Sequence, residues 1–153
     1  MISSASILQV GQQAPDFSLP DENGNLVSLG DFAGKNVAIF FYPKDLTPGC
    51  TREGCRFRDL KAEFDAKNCV ILGVSADDEE SHQRFIAEHS FNFHLLADTS
   101  RQMVGAYGAE SDPPGVKVMR SSVLIGGDGL VRAVWNPVKN AGEHPDEVLA
   151  ALA

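Results

Sequence analysis

Basic residues are few. The 153-residue chain has 13 Lys and Arg against 21 Asp and Glu, a formal charge of −8, with no basic run to offset it. Neutralising phosphates or an anionic bilayer surface needs a basic face, so neither nucleic acid nor membrane is an expected partner. Long apolar runs are missing too: the longest, residues 37–42, is far too short to span a bilayer. The N-terminal MISSASILQV lacks the basic and apolar regions of a secretion signal, so the expected location is cytoplasmic. Cysteine is scarce, with only Cys50, Cys55 and Cys69. An odd, sparse set does not make a secreted disulfide scaffold; in a reducing compartment a cysteine pair suggests transient chemistry. There is no internal repeat or low-complexity tract. At 43% hydrophobic and 22% charged, the composition is that of an ordinary globular protein. Area scaling gives roughly 7,500 Å² of folded surface against roughly 24,000 Å² unfolded. One domain over residues 1–153, with a core that needs no disulfides, is the expectation.

Residues 17–19 and 26–29 flank the turn-rich 21–25 and predict an N-terminal β-hairpin. Residues 36–42, β-branched and aromatic, predict a fully buried strand. After the polar loop 44–49, Phe57, Leu60 and Phe64 recur at helical spacing and predict a helix to about residue 67. Strands follow at 70–74, 93–96, 117–125 and 130–135, and helices at 79–88, 101–107 and 146–152. Gly126-Gly127-Asp128-Gly129 reads as the turn of an antiparallel hairpin; no Lys-Ser/Thr follows it, so it is not a phosphate loop. This order predicts an α/β, thioredoxin-like fold: a mixed central sheet flanked by helices, with the N-terminal hairpin beside it. Ligands gather at the carboxyl ends of strands in such sheets, where the loop before Cys50 lies.

Thr47 suits a helix N-cap and Pro48 the first helical position, which puts Cys50 in the first turn. Unpaired N–H groups and the helix dipole there favour a thiolate. Cys50 lies about 20° from Phe57 in helical projection, so its sulfur belongs in a pocket. Cys55 is about 140° round the helix and about 7.5 Å along it, with Cα atoms roughly 8 to 9 Å apart. A disulfide needs less than about 7 Å, so a bond between the two requires the first turn to unwind. The spacing implies a two-state element: a helix with a pocketed thiol, or an unwound turn with a disulfide.

The run Pro43…Thr47-Pro48-Gly49-Cys50-Thr51…Glu53…Cys55 resembles the peroxiredoxin active site, and the five-residue cysteine spacing resembles the peroxiredoxin Q, or bacterioferritin comigratory protein, subfamily. The likeness begins at Gly11…Ala14-Pro15-Asp16-Phe17-Ser18-Leu19 and includes Gly73-Val74-Ser75-Ala76-Asp77. Arg120-Ser121-Ser122-Val123-Leu124-Ile125 is similar to the segment carrying that family's active-site arginine. The resemblance implies a thiol peroxidase acting on hydrogen peroxide and alkyl hydroperoxides, with no cofactor. Cys50 would be the peroxidatic cysteine and Cys55 the resolving one. Their intramolecular disulfide would be reduced by thioredoxin or glutaredoxin, and the chain would work as a monomer, since an internal resolver needs no second subunit.

Thiol acidity alone is too small a lever. For a generic thiol, a fall from about 8.5 to about 6 raises the thiolate fraction at pH 7 about thirtyfold, and reduced nucleophilicity takes back about tenfold. The larger contribution must come from preorganised donors facing the O–O bond. The candidates are the Thr47 hydroxyl, the N–H groups of Gly49 and Cys50, and Arg120; Pro43 would shield the sulfur. Glu53 reads as an acid that complements the helix dipole, and the resemblance implies that it also orients Arg120 or the loop. Cys69, before a buried strand, reads as a packed thiol. The acidic run 77–80 reads as favouring a helix N-terminus. His82, His89, His94 and His144 form no H-E-x-x-H pattern and read as ordinary polar residues. Leu46 stands where the subfamily is often acidic, and the loop 110–115 is atypical. Two other readings compete: a redox sensor using the same switch to change partner binding, and a zinc module built on Cys50, Cys55 and a histidine, which lacks a second ligand pair.

Overall fold

The computed structural model describes residues 8–152; residues 1–7, which carry most of the expectation about the N-terminus, lie outside them. β1 (Ser18–Pro20) and β2 (Leu26–Ser28) form an antiparallel hairpin of their own. Asp21 Oδ1 ties its turn by accepting from the N–H groups of Asn23 and Asn25. A 3-10 turn, Leu29–Phe32, leads into β3 (Asn36–Phe41), α1 (Pro48–Asp59), α2 (Lys61–Ala66) and β4 (Cys69–Ser75). Then come α3 (Glu79–His89), β5 (His94–Ala97), α4 (Gln102–Ala106), β6 (Ser121–Ile125), β7 (Val131–Trp135) and α5 (His144–Ala151). The main sheet has the order β5-β4-β3-β6-β7. β3, β4 and β5 are parallel; β6 and β7 run antiparallel to them.

The period of two in the strands divides the core. Val37, Ile39 and Phe41 face one cluster, with Val123, Ile125 and Met103 under the hairpin and α4. Ala38, Phe40 and Tyr42 face the other, with Phe57, Phe64, Phe85, Val148 and Cys50. Both faces of β3 are therefore covered, as its unbroken apolar run requires. Among the described residues, no helix is long and apolar enough to cross a membrane.

Two expectations are corrected. The helix over residues 48–67 is broken at Leu60, where ψ is 3°. α1 packs on α5 and α2 on β4, and one straight rod cannot lie along both. The strand expected from residue 117 begins at Ser121. The preceding residues pair elsewhere: Val118 bridges Glu110, Met119 N–H donates to Ala109, and the Arg120 carbonyl accepts from Val138 N–H. Because Phe41 pairs with Ser121, Arg120 arrives at the carboxyl end of β3, beside the loop to α1.

Candidate active site

Thr47, in extended backbone, is the N-cap residue of α1, with Pro48 next; Thr51 N–H donates to the Thr47 carbonyl at 2.8 Å. The Thr47 hydroxyl does not cap the helix, contrary to expectation: it donates to the Lys44 carbonyl at 2.7 Å. Its proton is spent within the loop, which leaves its lone pairs as acceptors. Cys50 falls in the first turn and is 1% exposed, on the same stripe as Phe57. Arg120 reaches it from the start of β6: Nη2 lies 3.2 Å from Cys50 Sγ, and Nη1 donates to Glu53 Oε1 at 2.7 Å. The guanidinium thus bridges two residues one helical turn apart.

Glu53 is wholly buried. Burial pushes its carboxyl up to about 7 against the opposing charge and hydrogen bond of Arg120, and its Oε2 is buried without a partner. Burial likewise disfavours the charge on Arg120, but Glu53 and Cys50 outweigh it and hold the arginine ionised. Gly49 lies against the same guanidinium: a Cβ there would stand 3.0 Å from Arg120 Nη2, so the arginine would have to shift. Pro43, half-buried, lies in the loop leading to Thr47. A cation against the sulfur is the reverse of what a metal thiolate needs, which removes support from the zinc reading.

Cys55 is half-buried on the same continuous helix, and all three cysteines are free thiols. Cys69 begins β4 and pairs with Asn36 at the opposite end of β3, about 17 Å along the sheet from the Cys50 loop. Burial pushes its thiol up to about 12. It is a packed core residue.

Two of the four histidines depart from the expectation of ordinary polar residues. His82 and His144 are both 0% exposed. His82 Nδ1 lies 2.7 Å from Asp45 Oδ2 and Nε2 lies 3.0 Å from the Leu96 carbonyl. His144, at the start of α5, sits edge-on to Trp135 and contacts Glu147 through Nδ1; burial lowers its pKa, and Arg120 adds to the effect. Within the acidic run, Asp78 caps α3 through Ser81 N–H, while Asp77 accepts instead from Asp45 N–H and Ser75 Oγ. The spacing Asp45…Asp77…His82 carries no local signal, so only the fold joins these residues. The atypical loop is tightly ordered: Glu110 takes a bidentate pair from Arg101, and Ser111 Oγ accepts from Val116 and Lys117. Leu46 is 43% exposed and sits at φ 65°.

This arrangement has close relatives. The peroxiredoxin Bcp of Bacillus subtilis is 37% identical over 150 residues, covering 95% of this chain and 95% of its own. The structure of peroxidoxin BcpB from Mycobacterium tuberculosis has a TM-score of 0.88 at 31% identity, covering 95% of this chain and 96% of that one. Xanthomonas campestris peroxiredoxin Q has a TM-score of 0.86 at 37% identity, covering 97% and 96%. The AhpC/TSA family profile matches residues 10–134. With that match, the whole-length likeness to Bcp and peroxiredoxin Q proteins, and a thioredoxin-like sheet that brings an arginine onto a first-turn cysteine, the chain belongs to the AhpC/TSA family, in its peroxiredoxin Q/Bcp branch.

Proposed function

We propose that the protein is a thiol peroxidase of atypical two-cysteine type, reducing hydrogen peroxide and alkyl hydroperoxides. The observation that carries the reading is Arg120 held against Cys50 Sγ at 3.2 Å by its bond to buried Glu53. Cys50 thiolate attacks one peroxide oxygen; the O–O bond breaks, Cys50 becomes a sulfenic acid, and the other oxygen leaves as water or alcohol with a proton. Arg120 and the N–H groups of the first turn of α1, which have no intrahelical acceptors, stabilise charge on the departing oxygen. Thr47 Oγ, its own proton committed to Lys44, accepts from the hydroperoxide O–H. Pro43 shields the sulfur from water.

Cys55 thiol then attacks the sulfenic sulfur, releasing water and forming the intramolecular disulfide. Both cysteines belong to one regular helix, so the first turn must open and give up the Thr51–Thr47 hydrogen bond. Thioredoxin or glutaredoxin returns the pair to dithiol. The cycle needs one chain and a reducing compartment such as the cytoplasm.

Stopped-flow mixing of reduced protein with hydrogen peroxide and cumene hydroperoxide tests the reading. Consumption should vanish in Cys50→Ser, while Cys55→Ser should accumulate sulfenic acid and need an added thiol. Equal consumption by Cys50→Ser would remove the assignment. Peptide mapping of the oxidised protein should give a Cys50–Cys55 bond with loss of helical circular dichroism. A Cys50–Cys69 bond, or a Cys50–Cys55 bond with unchanged helix, would contradict the proposed cycle.

A further inference from the structure

The loop that presents α1 is tied down by a second buried charge pair, on the far side of β3 from Arg120. Asp45 is 4% exposed. Its Oδ1 accepts from Tyr42 OH at 2.6 Å, its Oδ2 from Ser81 Oγ at 2.8 Å, and His82 Nδ1 lies 2.7 Å from Oδ2. Its backbone N–H donates to Asp77 Oδ2 at 2.9 Å. His82 meets an acceptor at each ring nitrogen, with the Leu96 carbonyl 3.0 Å from Nε2. A neutral imidazole has one N–H and would turn a lone pair on one of these oxygens; the imidazolium satisfies both.

The groups facing the ring are Tyr42, just past the end of β3, Asp45 from the loop after it, Asp77 from the loop after β4, and the Leu96 carbonyl from β5. Burial opposes the charge, but Asp45, Leu96 and Asp77 outweigh it and raise the pKa of His82.

The tether reaches the reacting sulfur through backbone. Leu46, the next residue after Asp45, is held at φ 65°. That left-handed conformation is unfavourable for a residue with a Cβ and persists only where its neighbours over-determine it. Thr47 follows, bonded back to Lys44 and forming the N-cap of α1; Cys50 is three residues beyond.

We propose that His82, as an imidazolium clamped between Asp45 and the Leu96 carbonyl, is a positioning residue for the peroxide reaction: it fixes the Lys44–Thr47 loop so that Thr47 and the first turn of α1 present Cys50 to Arg120. The inference rests on the peroxidase reading above. Its signature is a split between half-reactions. Attack on the peroxide uses the turn while it is fixed, whereas disulfide formation with Cys55 requires the turn to open. Cutting the tether slows the first step and speeds the second.

In a Cys55→Ser background, oxidation stops at the sulfenic acid, so rapid quenching and mass spectrometry read the first step alone. Adding His82→Gln should lower that rate constant about ten- to hundredfold, the scale of a misplaced reacting group. In the chain with Cys55 intact, His82→Gln should accelerate disulfide formation after the sulfenic acid has formed. The Cys55→Ser protein should show a fall in oxidation rate on the alkaline side, above pH 6.5, that the added His82→Gln abolishes. This limb can be sought without His82→Gln, so a poorly folded variant leaves the inference open to refutation. Ser81→Ala, which deletes one Asp45 donor, provides a milder loosening and should give the same split with a smaller amplitude. Unchanged half-reactions in a folded His82→Gln chain would overturn the proposal, as would equal slowing of both steps or no alkaline limb in the Cys55→Ser protein. If the unsubstituted protein consumes no hydroperoxide, the peroxidase reading itself has failed.

Discussion

Arg120→Met separates what the arginine does for the reaction from what it does for the fold. The substitution keeps an apolar side chain of similar length and removes the donors to Cys50 Sγ and Glu53 Oε1. Losing one preorganised donor costs about a hundred- to a thousandfold in rate. The fold responds differently, because burial already pushes the Glu53 carboxyl up to about 7. Without the arginine, Glu53 keeps its proton to about pH 9, in the range of other buried glutamates. The wild type releases that proton as pH rises through about 7, so the variant binds one proton more and loses relative stability by about 1.4 kcal/mol per pH unit above that point. The electrostatic cost is then near zero at pH 5, about 0.4 kcal/mol at pH 7 and about 2 to 3 kcal/mol at pH 9. Urea unfolding at the three pH values, beside stopped-flow oxidation at pH 7, reads both effects. The expected result is a nearly inactive protein whose stability deficit, set at low pH by the donor that Glu53 Oε1 loses, widens by about 2 kcal/mol between pH 7 and pH 9. Oxidation within tenfold of the wild type, or a stability difference that does not grow between pH 7 and 9, refutes the reasoning.

Three smaller perturbations probe the surroundings. Gly54→Ala would set a Cβ 2.5 Å from Cζ of Phe91, which is stacked on Phe93 and edge-on to Phe85. Overpacking of about 1 to 3 kcal/mol opposes about 1 kcal/mol of helix propensity, so the urea midpoint should fall; a rise would show that α1 can slide off the ring. The Arg101 hydrogen bond, helped by the N–H groups of Gly115 and Ser111, holds the Glu110 carboxyl at about 2, below its ordinary 4.5. That stabilisation is present above pH 4.5 and is lost as pH falls towards 2. The melting-temperature gap between wild type and Glu110→Gln should therefore close on acidification; a gap that stays constant excludes the pair as its source. Leu46→Asn should raise the urea midpoint by relieving about 1 kcal/mol of left-handed strain; an unchanged midpoint would mean that the loop relaxes without it.

The sequence alone determined the parts of this protein whose signals are local. Alternation through β3 fixes which side chains enter each core layer. Thr47-Pro48 carries a local helix-start signal, and the distance from Cys50 to Phe57 returns the sulfur to the buried stripe. The cysteine interval likewise sets a condition: a Cys50–Cys55 bond would require the first turn to open. What only the tertiary structure decided are meetings between residues far apart in the chain. Arg120 reaches Cys50 because residues 117–120 pair outside the main sheet and let β6 begin beside Phe41. The Thr47 hydroxyl turned to Lys44 because the loop curls back on itself. His82 reads as an ordinary polar residue until β3, β4 and β5 close around it. Burial then makes its charge costly, and Asp45 and the Leu96 carbonyl favour that charge.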